Sequence, residues 1–261
     1  MNPAAPVRGA DAPAGRYAEQ PAGSRVLGFD TATPDTAVAA TRDGEVVAEE
    51  LEEPDAAAGR PAHATALLPA IERIATAAGG WQEIDRIAVG VGPGSFTGLR
   101  VGVTAARALA VGLEKPLVPV GTLSALAAAI VSSALADRGR PALAVLDARR
   151  GEVFALLRDR HGAEVWPAFV ASPDELASRV AAMPEPPVAA GNGSLRFRRQ
   201  LEDAGALVAG EDEPVHRISA VSLCRLAAKA SPTAPEQVAP IYLRRPDAEI
   251  WRDRQRLGGT G

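Results

Sequence analysis

The apolar positions of the chain change period repeatedly, and each change marks an element. Arg25 to Thr31 is an apolar run of strand length; Thr36 to Thr41 and Val46 to Leu51 read as two more, joined by the Asp43-Gly44 turn into a three-stranded meander. After a Pro- and Gly-rich link at 54 to 61, His63, Leu67, Leu68, Ile71, Ile74 and Ala75 recur at helical spacing, and Gly79-Gly80 ends that helix. A strand over Arg86 to Val91, a glycine-dense turn, a helix over Thr97 to Gly112, a strand at Leu117 to Val120 and an Ala-rich helix from Thr122 to about Ala136 follow.

The second half repeats this order. Leu143 to Asp147 and Glu152 to Leu157 form a hairpin around Ala148-Arg149-Arg150-Gly151, and a weaker strand lies near Glu164 to Trp166. The next helix has Ser172 as its cap, Pro173 at its first position and Glu175 at the capping-box position. A strand at Pro187 to Ala190 and a helix from about Ser194 to Ala204 complete the repeat. Two strands in corresponding places end in a carboxylate, Asp30 and Asp147, so the pattern predicts a duplicated α/β fold with two lobes and a cleft between them. The first lobe spans 25–121 and the second 122–251, with helix 122–136 as connector; 1–24 and 252–261 have the composition of unfolded tails.

Composition narrows the function. Hydrophobic residues are 47% of the 261 but aromatic ones only 4%, so Ala, Val and Leu fill the core and an extended RNA-stacking surface is not expected. A formal charge of −4, from 28 basic and 32 acidic residues, lacks the footprint of a protein whose main ligand is nucleic acid. The short basic runs Arg196, Arg198, Arg199 and Arg244, Arg245 read as solvated faces. The lone Cys224 lies in an apolar helical pattern, excluding disulfides and thiolate metal clusters within the chain. With no bilayer-length apolar run and no apolar leader, the expected location is the cytoplasm.

The richest segment for chemistry is Gly92-Pro93-Gly94-Ser95-Phe96-Thr97-Gly98-Leu99-Arg100, where a strand runs into a turn and then a helix. Such a turn either offers backbone N–H groups to an anion or simply lets elements pack closely; no P-loop lysine follows, and the dinucleotide fingerprint is only partly imitated. Ser95 fits a helix cap. Asp30 and Asp147 either face a nucleotide-bound Mg2+ across the cleft or cap their own turns, and Asp30 is followed by Thr31-Ala32-Thr33-Pro34 with no glycine for close phosphate approach. His63, His161 and His216 form no triad or metal-ligand spacing, so neither a nucleophilic nor a metal site is predicted.

Taken in order, Leu27-Gly28-Phe29-Asp30-Thr31-Ala32-Thr33-Pro34, His63 with Leu67-Leu68-Pro69, the Gly92 to Arg100 segment, Asp147-Ala148-Arg149-Arg150-Gly151-Glu152-Val153-Phe154 and Tyr242-Leu243-Arg244-Arg245-Pro246 carry a resemblance. The chain resembles the TsaB (YeaZ) family over nearly all of residues 25 to 250. The resemblance implies the duplicated fold of actin, the sugar kinases and Hsp70, a ribonuclease H-like α/β architecture. It implies work on tRNA: a non-catalytic subunit that binds and activates TsaD, which transfers threonylcarbamoyl to adenosine 37. TsaD carries two metal-binding histidines four residues apart where Thr122 and Leu126 stand here, and neither replacement can hold a transition metal.

By the same resemblance the contact with TsaD falls on the first lobe's two helices, at His63, Leu67, Leu68, Ile71, Phe96, Thr97, Leu99, Arg100, Gly102, Val103 and Ala106. Leu67→Glu or Gly102→Glu is then expected to break it and leave the monomer folded. A vestigial nucleotide or anion site would gather Asp30, Thr31, Gly92, Gly94, Ser95, Asp147, Gly191, Asn192 and Gly193. No cofactor is expected on this chain, since ATP and metal belong to partner subunits. TsaE, an ATPase, is a further expected partner, tRNA is reached only through the complex, and a homodimer is open in isolation. The rival readings are a stand-alone small-molecule kinase of the same superfamily and a metallopeptidase-like enzyme.

Overall fold

The computed structural model describes residues 24–54, 62–135 and 139–244. Residues 1–23 of the expected first tail, the expected second tail, the 54–61 link beyond Pro54, Arg245-Pro246 and residue 136 of the expected 122–136 helix lie outside them. The first half contains β1 (Arg25–Asp30), β2 (Thr36–Arg42), β3 (Glu45–Glu52), α1 (His63–Ala77), β4 (Arg86–Gly90), α2 (Phe96–Gly112), β5 (Leu117–Val120) and α3 (Thr122–Val131). The second contains β6 (Ala142–Arg149), β7 (Glu152–Arg158), β8 (Glu164–Ala171), α4 (Pro173–Ala181), β9 (Val188–Ala190), α5 (Asn192–Arg196), α6 (Arg198–Asp203), β10 (Leu207–Val208) and α7 (Ala220–Ala228).

The two five-stranded sheets share one topology, β3-β2-β1-β4-β5 and β8-β7-β6-β9-β10. In each, an antiparallel meander is extended by two parallel strands: β1 pairs antiparallel with β2 and parallel with β4, just as β6 does with β7 and β9. This is the duplicated, two-lobed α/β fold that the repeated pattern predicts.

Alternating side chains feed both faces of each sheet. Leu27, Phe29, Val38 and Val89 pack under α1 and α2, while Val26, Ala39, Ala88 and Val118 pack against Leu223, Cys224 and Ala227 of α7. In the second sheet Leu143, Val145 and Ala155 meet Leu176 and Val180 of α4, and Ala144, Leu146 and Leu156 meet Leu123, Leu126 and Ile130 of α3. The terminal helix of each half therefore crosses over: α3 covers the second sheet, α7 returns to the first, and the two touch between the sheets.

Three elements depart from the sequence expectation. The strand at Glu164 runs on to Ala171 through Pro167, which β8 tolerates because it is an edge strand and leaves one side of its ladder unpaired. The helix expected over 194–204 is two, broken at Phe197, whose ring turns onto the core beside α4 and α6. The Ala-rich helix ends at Val131, and the Ser133 hydroxyl donates to the freed Ile130 carbonyl at 2.7 Å. Among the described residues no helix is long and apolar enough to cross a membrane.

Candidate functional site

The site grows from the end of β1. Asp30 is 1% exposed. Its Oδ1 accepts the Ala32 N–H at 2.7 Å and its Oδ2 accepts the Thr122 hydroxyl at 2.7 Å. That hydroxyl in turn accepts the Gly92 N–H at 3.1 Å, and the Thr122 N–H donates to the Gly92 carbonyl at 2.8 Å. One buried knot thus ties β1, the β4–α2 turn and the start of α3. Burial pushes the Asp30 carboxyl above its ordinary pKa, and the donors from Ala32 and Thr122 oppose that only in part.

The glycines beside the knot are occupied by the chain itself. A β-carbon at Gly90 would strike the Asp30 carboxylate, one at Gly94 would strike Ala32, one at Gly98 the Thr31 carbonyl and one at Gly102 the Thr31 hydroxyl. At this four-residue spacing the glycines form a groove, and Asp30-Thr31-Ala32 lies in it. The Ala32 carbonyl takes the Ser95 N–H at 2.7 Å and the Thr31 hydroxyl donates to the Gly98 carbonyl at 2.7 Å. Ser95 caps α2 through the Gly98 N–H at 3.3 Å. The space beside these glycines and the Ser95 N–H are thus taken up by the backbone of Thr31 and Ala32.

The second half repeats the geometry in a looser form. A β-carbon at Gly191 or Gly193 would meet the backbone of Val145, Leu146 or Asp147. Asp147 Oδ1 accepts the Arg149 N–H at 2.9 Å, closing its own turn, while Oδ2 pairs with Arg196 at 2.9 Å and the Asp147 N–H donates to Asn192 Oδ1 at 2.9 Å. The Gly191 N–H donates to Nδ1 of His216 at 3.2 Å, leaving Nε2 to donate to the Gly210 carbonyl at 2.8 Å.

Between these two loops lies a cleft of about 520 Å³, lined on one side by Thr33, Ser95 and Phe96 and on the other by Asp147, Arg149 and Asn192. The segment Ile241–Arg244 crosses it: the Ile241 N–H donates to the Val91 carbonyl at 2.7 Å, and Arg244 donates to the Ala148 carbonyl at 3.2 Å and pairs with Glu152 at 3.1 Å. Asp147 and Asn192 line this cleft and Asp30 does not, so the two strand-end carboxylates do not meet across it. Among the described residues no group of three or more His, Cys, Asp and Glu is placed to hold a metal ion.

The residues expected to touch a partner divide sharply. Leu67, Ile71, Leu99, Val103 and Ala106 are at most 3% exposed and pack in the chain's own core, with Gly102 buried against Thr31. A charge at Leu67 or Gly102 therefore acts on the fold itself, which corrects the expectation that either substitution spares the monomer. His63 is buried as well; it shares a 2.7 Å hydrogen bond with Thr36 through Nδ1, and burial holds its pKa below the usual imidazole value, opposed in part by the Thr33 backbone. Leu68, at 55%, and Phe96, Thr97 and Arg100 stand at the surface. Thr122 and Leu126 are both fully buried, the first in the knot and the second in the core of the second sheet. Sequence reading missed the Asp30–Thr122 and Asp147–Arg196 pairs; the only signal was the repeated strand-end aspartate.

The family model for TsaD, described as tRNA N6-adenosine threonylcarbamoyltransferase, matches residues 54–240. The Escherichia coli protein named tRNA threonylcarbamoyladenosine biosynthesis protein TsaB is 32% identical over 231 residues, covering 84% of this chain and 94% of the relative. A TsaB from Haemophilus influenzae is 40% identical over 93 residues, 35% of this chain and 38% of its own. The solved structure of YeaZ from Pseudomonas aeruginosa superposes with a TM-score of 0.67 at 27% identity, covering 84% of this chain and 100% of that one.

Proposed function

The chain belongs to the TsaB (YeaZ) family of tRNA threonylcarbamoyladenosine biosynthesis proteins, and from that premise we propose that it acts there as a docking subunit without transfer chemistry of its own. The observation that carries this reading is the buried knot. The family resemblance implies a metal-binding histidine of TsaD where Thr122 stands, and here the Thr122 hydroxyl is committed to Asp30 and Gly92. The glycine-rich turn that could approach a phosphate is packed with Asp30-Thr31-Ala32. ATP and metal then belong to partner subunits, TsaD first and the ATPase TsaE second, in the cytoplasm.

What remains for the chain to offer is surface. The outer sides of α1 and α2 carry Leu68, 55% exposed, and Val111, 66% exposed, on helices whose inner sides are fully used. An exposed apolar side chain on a rigid helix face is the usual anchor of a helix–helix interface. The same face would pair two copies when TsaD is absent. Co-expression with TsaD tests this: Leu68→Glu should abolish co-purification while the monomer unfolds normally, and reconstituted tRNA modification should require the wild-type chain. Conversion of tRNA by the purified chain alone would overturn the reading, and so would unchanged TsaD binding by Leu68→Glu and Val111→Glu together. The kinase alternative keeps the cleft but lacks a turn that phosphate can approach.

A further inference from the structure

Two connections join the lobes among the described residues. The crossing helices α3 and α7 touch between the sheets, and each packs on the sheet of the other half. A packed crossing of that kind lets two lobes rock about it as a hinge. The other connection is made later in the chain, at the cleft.

After α7 the chain stays with the first lobe. The Thr233 N–H donates to the Leu117 carbonyl at 2.8 Å along β5, the outermost strand of the first sheet, and Val238, 1% exposed, enters that lobe's core. The Ile241 N–H donates to the Val91 carbonyl at 2.7 Å, and the Ile241 carbonyl lies so close to Gly92 that a β-carbon there would strike it. Tyr242 rests against Phe96, with ring centres 5.1 Å apart. The next two residues belong to the other lobe. Leu243 packs on the core that contains Leu146, Ala148 and Phe154, and Arg244 holds the Ala148 carbonyl at 3.2 Å and the Glu152 carboxylate at 3.1 Å.

The chain therefore changes lobe across a single peptide unit. Consecutive α-carbons are about 3.8 Å apart across a trans peptide, so the tether between Tyr242 and Leu243 has no slack. Thr33, Ser95 and Phe96 on one wall of the cleft and Ala148 and Asn192 on the other cannot separate while both ends of it are seated.

We propose that Ile241–Arg244 is a clasp across the cleft: it locks the hinge formed by α3 and α7, and the lobes part only when one end lets go. The cleft of about 520 Å³ is then a gated space, closed to anything larger until the clasp opens. Docking through the outer sides of α1 and α2 is independent of it.

Double electron–electron resonance on the full chain tests the proposal, with spin labels on Gln82→Cys in the first lobe and Ser178→Cys in the second. Both positions are exposed, whereas Cys224 is buried with its thiol pushed up to about 12, so the label goes to the introduced sites. The wild-type chain should give one narrow distance distribution. Leu243→Ser/Arg244→Ala removes the anchors on the second lobe, and the distribution should broaden toward longer distances. Insertion of three glycines between Tyr242 and Leu243 keeps every anchor and adds about 10 Å of slack, and it should broaden the distribution likewise. Circular dichroism checks that both variants fold, and the insertion alone decides should the double substitution unfold. A narrow, wild-type distribution in a folded variant would overturn the proposal, making the segment a cover with no hold on the lobes. So would a broad distribution in the wild type, whose lobes would then move with the clasp in place.

Discussion

Thr122 shows how much one hydroxyl can hold. It is 0% exposed and satisfies both a buried carboxylate and a buried backbone N–H. Thr122→Val keeps the shape and removes both bonds, leaving Asp30 Oδ2 and the Gly92 N–H without partners; the expected loss is about 2–4 kcal/mol in urea unfolding. A loss below about 0.5 kcal/mol would mean that water reaches the knot. Asp30 makes a second prediction. Its pKa is raised by burial, so the folded chain holds this proton more tightly than the unfolded one. Its contribution to stability is therefore greatest below about pH 3.9 and declines as pH rises from there to the folded value. The stability difference between the wild type and Asp30→Asn, measured between pH 3 and 7, should shift against the wild type across that window. A flat difference would show that the carboxyl is not perturbed.

Neighbouring residues on one element separate fold from function. Leu67 and Leu68 are adjacent, yet the first is 1% exposed and the second 55%. Leu67→Ala should cost about 2–5 kcal/mol through its cavity, and Leu68→Ala less than about 0.5 kcal/mol; chemical denaturation distinguishes them. The helical spacing of α1 was legible in sequence, but not which part of the stripe faces inward, because both leucines satisfy the same period. At the β6–β7 hairpin Arg149 pairs with Glu152 and the loop is Arg150-Gly151, both at positive φ, so Arg150→Asn, which completes the preferred Asn-Gly pair, should raise the unfolding free energy by about 1 kcal/mol, read from the denaturation midpoint. The turn itself was legible from Gly151 and the flanking apolar runs, whereas the conformation of its arginines was not. The break at Phe197 left no mark in the local pattern, since contact with α4 and α6 decides it.

Across the whole molecule the crossing of α3 and α7 makes each half incomplete without the other. The first sheet's Val26, Ala39, Ala88 and Val118 are covered by α7, which arrives more than a hundred residues after β2. Unfolding should consequently be one cooperative transition, with near-UV and far-UV signals coincident. A fragment ending at Gly121 should not fold, having lost the cover of one sheet face; a dispersed NMR spectrum from that fragment would contradict this.

The sequence by itself determined the strands and helices, their two-fold repetition, the paired strand-end aspartates and the family resemblance, because periodicity and motif spacing are local properties of the chain. Tertiary structure alone decided that Asp30 is sealed by a hydroxyl 92 residues away, that the glycine groove is filled by Asp30-Thr31-Ala32, and that the arginines of one hairpin share a lip with Phe96 and Tyr242. Each of these depends on which distant segments meet, and burial and charge at such meetings are set by packing rather than by neighbours in sequence.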